Sequence, residues 1–222
     1  MARMDLALAV PGCGTSFSDA VAHGLRRVDA GQLGATAVHH NVVGEFLKHL
    51  GKKYGLTVAK ECAGVFVVPA GQAALIPDGY VAQGTNGIYF DLSIAHHLQQ
   101  ANTADNHLRD RERVKTQKYK DFRPAGSEFF PLVMDFTGRL GIESAKFLRV
   151  VASWCAELDP FVAGAGEDEV KRAEARAHRE LLGFLRASHA RNITQRYREC
   201  WARAWEEEQL ASGRVGLPVL AV

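Results

Sequence analysis

Apolar residues recur at helical spacing in several long segments of the chain. Residues 39 to 54 carry a helical apolar stripe, and Gly55 follows where a helix commonly ends. Residues 144 to 158 form a second amphipathic segment, and a third helix is predicted from Glu167 to about Gln209. The polar segment Asn102 to Lys120 also has a helical composition. These segments predict four helices.

Short apolar or β-branched runs between these segments predict strands. The runs are Leu56–Lys60, Val65–Val68, Tyr80–Gln83, Ile88–Ile94 and Phe129–Phe136. The third and fourth runs flank Gly84-Thr85-Asn86-Gly87, in which Asn-Gly favours a tight hairpin turn because both central residues need a positive φ. The order of elements predicts an α/β fold with a mixed central sheet flanked by helices, and a long C-terminal helix.

The pattern also divides the chain. Residues 1–35 are a Gly- and Ala-rich lead-in with a short helix expected around Asp19 to Val28. Residues 36–158 form the predicted core, and residues 159–212 are a linker followed by the long helix, which suits packing or oligomerisation. Residues 213–222 are a tail.

Composition and charge exclude some classes of protein but do not indicate a particular activity. The formal net charge is +2, which does not by itself imply a nucleic-acid partner. No apolar run reaches the roughly 18 residues that a membrane span needs, and Leu6–Val10 is too short for a signal peptide. The four cysteines are scattered without zinc-site spacing. We therefore expect an intracellular protein with free thiols and no membrane partner.

Two acids stand in unusual surroundings. Asp78 follows Pro77, and after twelve intervening residues Asp91 lies in the apolar run Ile88–Ile94. Burying an ionised carboxylate costs on the order of several kcal/mol unless the carboxylate is paired or bound to a metal. A divalent cation shared by the two acids is the predicted partner. The alternatives are that Asp78 only starts a turn and that Asp91 is a structural acid paired with an arginine.

Strand geometry places a condition on this interpretation. If Asn86-Gly87 were a strict two-residue turn, Asp91 would lie opposite Ala82. Asp78 would then be four residues further along its strand, roughly 13 Å away at the usual rise per residue. A longer loop or a bend at Pro77 is needed to bring the acids together.

A basic and polar segment downstream offers cations to such a site. On a helix Lys115 is an i, i+3 neighbour of Lys118 and an i, i+4 neighbour of Tyr119, so one face could deliver a lysine and a hydroxyl to the acids. Arg111, Arg113 and Lys120 of the same segment are candidate nucleic-acid-binding residues. The alternative is that the basic cluster is an ordinary solvated helix face.

Taken together, Pro77-Asp78, Asp91 and Lys115-x-x-Lys118-Tyr119 resemble the PD-(D/E)XK nuclease fold. More narrowly, they resemble the restriction-enzyme-like endonuclease domain of non-LTR retrotransposons, in which the catalytic lysine lies on a helix after the strand. Three further segments match in order: His39-His40-Asn41, Leu56–Glu61 and Phe130–Gly141. The chain departs from that family upstream, where a zinc knuckle is usual and only Cys13 and His23 occur.

The resemblance implies an Mg²⁺- or Mn²⁺-dependent endonuclease that hydrolyses DNA phosphodiester bonds. Asp78 and Asp91 would be metal ligands and catalytic residues, Lys115 the migrated lysine with Lys118 as its rival, and Tyr119 a supporting residue. It also implies a nuclear location and a reverse transcriptase region in a parent polyprotein. The alternatives are a non-catalytic nucleic-acid-binding module on a nuclease-like fold and a protein-interaction domain. A further acid, Asp135, is expected to be structural and to satisfy backbone donors near Gly138 and Gly141.

Overall fold

The computed structural model describes residues 35–95, 101–122, 124, 127–135 and 137–211. Within these residues it contains four helices and four strands. In chain order they are α1 (Ala35–Tyr54), β1 (Thr57–Lys60), β2 (Gly79–Gln83), β3 (Asn86–Ala95), α2 (Ala101–Lys120), β4 (Glu128–Asp135), α3 (Ile142–Glu157) and α4 (Glu167–Ala211). The predicted helix at Asp19–Val28 and the tail lie outside the described residues.

The four strands form one mixed sheet in the order β1-β2-β3-β4. The β1–β2 and β2–β3 pairs are antiparallel, whereas β3 and β4 are parallel. Parallel neighbours need a crossover connection, and α2 lies in the segment between them. The predicted mixed α/β architecture with a long C-terminal helix is therefore confirmed.

The two faces of β3 contact different helices. Phe90 lies 6.4 Å from Phe46 of α1 and 5.1 Å from Phe147 of α3, measured between ring centroids. Asp91 points to the opposite face because side chains alternate along a strand, and there it meets Lys115 of α2. The sheet thus separates an aromatic core from the face that carries the acids.

One predicted strand is wrong. Val65–Val68 does not enter the sheet, and only an isolated bridge joins Phe66 to Leu75. The reason is that Phe66 packs instead against the ring of Tyr119, with centroids 5.1 Å apart, while Val67 is exposed. This run covers the acid-bearing face as part of the connection between β1 and β2.

The expected hairpin turn at Asn86-Gly87 is also wrong. Gln83 pairs with Asn86, so the two turn residues are Gly84 and Thr85, and Gly84 supplies a positive φ of 58°. Gly87 belongs to β3, where a Cβ atom would collide with the ring of Tyr80 across the strands. The glycine of the Asn-Gly pair therefore makes room for an aromatic side chain rather than a turn.

Residues His39–Ala190 form one compact unit, which holds the sheet and the acids. The described residues outside it, 35–38 and 191–211, belong to a second unit. Among the described helices, none offers an apolar stretch that could cross a lipid bilayer.

Candidate metal centre and active site

The observed hairpin register brings the two acids face to face. The last pair between β2 and β3 is Gly79 with Phe90, so Asp78 and Asp91 are the next residues along each strand. One ligand atom from each acid and one from His39 all lie within 4.8 Å of one another. The separation of roughly 13 Å expected from an Asn-Gly turn does not occur, because the turn lies two residues earlier.

Asp78 is held by donors from two elements. Its Oδ2 accepts the backbone N–H of Leu92 at 2.6 Å and lies 2.6 Å from Nε2 of His39. A carboxylate oxygen only accepts, so the imidazole nitrogen is the donor in this contact. Burial raises the pKa of Asp78, but hydrogen bonds from His39, Asp91 and the Leu92 amide together hold it below its usual value.

Asp91 is 4% exposed and sits in a less favourable environment. Burial, and then the hydrogen bond and negative charge of Asp78, raise the pKa of Asp91 to about 6. Lys115 Nζ donates to Asp91 Oδ2 at 2.7 Å and offsets part of this effect. Catalytic sites commonly contain two adjacent carboxyl groups in which like-charge repulsion raises the pKa of one of them.

Helix α2 is fixed one turn before Lys115 by a buried carboxylate. Glu112 Oε1 accepts the backbone N–H of Ser144 at 3.0 Å and its hydroxyl at 2.9 Å, at the start of α3. The hydroxyl group of Ser144 also accepts the backbone N–H of Val133 in β4 at 2.7 Å. Gly141 leaves the space that Glu112 occupies, since a Cβ there would collide with the carboxylate. These contacts fix the position of α2, from which Lys115 contacts Asp91.

The other two candidate residues of α2, Tyr119 and Lys118, lie in different environments. Tyr119 is 1% exposed, and its hydroxyl donates to the carbonyl of Ile76 at 3.3 Å, two residues before Asp78. Burial, together with the nearby charge of Asp91, raises the pKa of Tyr119. Lys118 is exposed, and its Nζ lies 5.1 Å from the centroid of the Tyr119 ring. Lys115 is therefore the lysine that contacts an acid, and Tyr119 supports the segment before Asp78.

The expected DNA contacts are distributed around α2. Arg111, Arg113 and Lys120 are all exposed, and Arg113 lies 3.5 Å from Asp110. Successive helical residues turn by about 100°, so Arg111 projects to the same side as Lys115. Arg113 and Lys120 project to the opposite side of the helix. The site is thus flanked by Arg111 and the exposed Lys118.

His39 is a site residue that the sequence interpretation did not include. It lies in α1, which joins the site because its N-terminal part reaches Asp78. Its ring stacks on His40 at 5.5 Å, and His40 contacts Glu61 at 3.0 Å. The available signal was the His39-His40 pair at the start of a predicted helix, which by pattern alone is equally typical of a surface position.

Asp135 has the structural environment that the sequence predicted. Its Oδ1 accepts both the backbone N–H and the hydroxyl of Thr137, at 2.9 and 2.6 Å, and the backbone N–H of Arg139 at 3.0 Å. Its Oδ2 accepts Nε of Arg139 at 3.1 Å. Burial raises the pKa of Asp135, but these hydrogen bonds hold it below its usual value.

No protein-family model matches the chain, and a search of the curated proteins finds no match either. The chemistry of the site must therefore be inferred from its own side chains. Asp78, Asp91 and His39 are an oxygen-rich donor set with one imidazole, which suits Mg²⁺ or Mn²⁺. The adjacent like charges of buried Asp91 and half-buried Asp78 are the feature that a divalent cation would neutralise.

Proposed function

We propose that the protein is a metal-dependent endonuclease that hydrolyses DNA phosphodiester bonds. The Asp78–Asp91 pair carries this proposal. A buried carboxylate, Asp91, and a half-buried one, Asp78, meet across a hairpin. A lysine contacts Asp91 at 2.7 Å, and an imidazole contacts Asp78 at 2.6 Å. Asp78 and Asp91 would hold Mg²⁺ or Mn²⁺, and His39 would orient Asp78 or add a nitrogen ligand.

The fold supports the same proposal at the level of architecture. A mixed four-stranded sheet carries the two acids on adjacent antiparallel strands, and the helix that follows them carries Lys115. This arrangement supports the proposed likeness to a PD-(D/E)XK nuclease with a migrated lysine. The likeness to the target-cleaving domain of non-LTR retrotransposons is part of the proposal.

The side chains divide the chemical work. When bound, Mg²⁺ would lower the pKa of a coordinated water and stabilise negative charge on the attacked phosphate. Lys115 would orient the attacking water and bring positive charge to the phosphate oxygens from its position beside Asp91. Tyr119 would act as a positioning residue, because its hydroxyl is engaged by the Ile76 carbonyl.

The exposed basic residues beside Lys115 would bind the DNA backbone. Arg111 and Lys118 flank Lys115 on α2, so a strand whose phosphate reaches Lys115 can pass over both. Arg113 and Lys120 would contact a more distant part of the DNA, from the other side of the helix. This division gives Lys118 a role in binding rather than in the chemical step.

The test is nicking of supercoiled plasmid by the full chain with Mg²⁺ or Mn²⁺. We expect Asp91→Asn and Asp78→Asn to abolish nicking and to weaken Mn²⁺ binding measured by calorimetry, while circular dichroism stays unchanged. Asp168→Asn, an exposed acid at the start of α4, is the matched control and should nick normally. Undiminished nicking by either site variant would overturn the proposal. Salt-sensitive DNA binding by the wild-type protein without any cleavage would favour a binding module instead.

A further inference from the structure

A cavity lies at the opposite end of α1 from the carboxylate site. It has a volume of about 430 Å³ and is lined by Lys53, Tyr54, Leu158, Asp159, Phe161 and Arg176, among others. His39 and Lys53 are fourteen residues apart on one helix, which corresponds to about 21 Å at the usual rise. The proposed cleavage chemistry does not use this cavity.

Phe161 is exposed to an unusual degree for an aromatic residue. It is 92% exposed in the connection between α3 and α4, and Leu158 beside it is 44% exposed. The local structure braces the backbone that carries the ring, because Asp159 Oδ1 accepts the backbone N–H of Phe161 at 3.0 Å. Asp159 Oδ2 accepts Nη2 of Arg176 at 2.7 Å, which ties the same turn to α4. With the backbone braced, only the side-chain torsions of Phe161 lose freedom when a ligand stacks on the ring.

The two cations that line the cavity are more exposed than the acids they contact. Lys53 and Arg176 line the cavity with side chains that are 49% and 61% exposed. Their acidic partners, Glu180 and Asp159, are less exposed, at 33% and 23%. Each cation has more donor hydrogens than its one acidic contact uses. An anion at the mouth of the cavity would therefore meet the two cations before it met the acids.

We propose that this cavity binds a nucleotide unit, with its phosphate at Lys53 and Arg176 and its base stacked on Phe161. A flat aromatic ring beside two cations is the combination that nucleotides and single strands recognise. The volume falls within the range of small-molecule pockets. A free nucleotide and one residue of a single strand present the same base and phosphate, so either source fits the site. The site is independent of cleavage at Asp78 and Asp91.

Photo-crosslinking in EDTA tests the site without any cleavage. The probes are 5-iododeoxyuridine monophosphate and a short single-stranded oligonucleotide that contains 5-iodouracil, which crosslinks to neighbouring aromatic rings. We expect peptide mapping to place the crosslink on Phe161. Crosslinks to both probes would indicate a free-nucleotide site, and crosslinks to the oligonucleotide alone would indicate a strand-binding site. Crosslinks found only on other peptides would overturn the proposal.

Affinity measurements on variants supply the second test. Phe161→Ala should weaken binding of the crosslinking probe about tenfold, as loss of one stacking ring typically does. Lys53→Gln should also weaken binding, since it removes the charge but keeps a side chain that can donate to Glu180. Val67→Ala, an exposed apolar residue remote from the cavity in sequence, is the matched control and should bind normally. Unchanged affinity of both cavity variants would overturn the proposal.

Discussion

Asp91 and Asp135 are buried acids on neighbouring parallel strands, and their surroundings shift their pKa values in opposite directions. They belong to one ladder, in which Asp91 lies opposite Pro131 and Asp135 lies opposite Ala95. Asp135 accepts four hydrogen bonds, and its pKa is lowered. Asp91 faces a second carboxyl group, and its pKa is raised to about 6.

The difference lies in the donors that each carboxylate meets. The turn after Asp135 wraps two backbone amides around it, so its charge is satisfied locally and the acid stabilises the fold. Asp91 meets Lys115 and the Tyr119 hydroxyl, both from one distant helix, while Asp78 adds charge of the same sign. Apolar neighbours in the sequence therefore do not distinguish a structural acid from a candidate catalytic one. The number and origin of the donors do.

After the loss of nicking expected for changes at Asp78 and Asp91, removal of Lys115 should produce the largest effect, because it takes away the cation that Asp91 contacts. We expect Lys115→Met to reduce the rate of plasmid nicking by about 10²- to 10⁴-fold, the range typical of a positioned catalytic group. Methionine keeps much of the apolar stem and removes the charge. Nicking rates at saturating Mg²⁺ measure the effect.

Lys118→Met is the matched control for this prediction. Lys118 is on the same helix but exposed, with its Nζ over the Tyr119 ring. We expect its loss to weaken DNA binding modestly and to reduce the salt dependence of that binding, with little change in the rate at saturating DNA. Equal rate losses for the two variants would show that the contact between Lys115 and Asp91 is not special.

Asp135→Asn should produce the second largest effect, and it should act on stability. The amide oxygen can still accept the three donors that reach Oδ1, but without the negative charge. The NH₂ group that replaces Oδ2 faces Nε of Arg139, which is also a donor. We expect the free energy of unfolding to fall by about 2 to 4 kcal/mol, since hydrogen bonds to charged groups are strong and buried donors are costly to leave unsatisfied. Urea unfolding at neutral pH measures it.

The corresponding change at the other acid should behave differently. Asp91→Asn removes one of two like charges, so stability at neutral pH should be maintained or increased while nicking is lost. A loss of stability as large as that of Asp135→Asn would contradict the distinction between the two acids. Nicking per folded molecule should remain close to normal in Asp135→Asn, because Asp135 contacts neither Asp78 nor Lys115 among its four bonds.

Much of this arrangement could be predicted from local sequence. The helices, four of the five expected strands and the pair of acids follow from periodicity and from the cost of burying Asp91. The hairpin register could not be predicted, because Asn86-Gly87 fits a turn rule and the competing requirement of Tyr80 for space at Gly87 is a contact across strands. His39 and Glu112 depend on packing between elements distant in sequence, and the His39-His40 pair alone is equally typical of a surface position.

The smallest predicted effect is a change in how stability depends on pH, measured in EDTA by urea unfolding from pH 3 to 7. Asp91 has a raised pKa in the folded state, so the folded protein binds its proton more tightly than the unfolded chain does. The stability that this protonation contributes is complete below the unfolded pKa of about 3.9. It is lost as the pH rises through about 6. The stability of Asp91→Asn relative to wild type should therefore increase over this window.

Asp135 should give the opposite sign. Its pKa is lowered in the folded state, so its contribution is present above the unfolded pKa and is lost as the pH falls through the lower folded value. The deficit of Asp135→Asn relative to wild type should thus be largest near neutral pH and should shrink in acid. For one proton, the difference in the free energy of unfolding between each variant and the wild type can change by at most about 1.4 kcal/mol per pH unit. Parallel pH profiles for the two variants would mean that the two acids do not differ in their donors as the structure indicates.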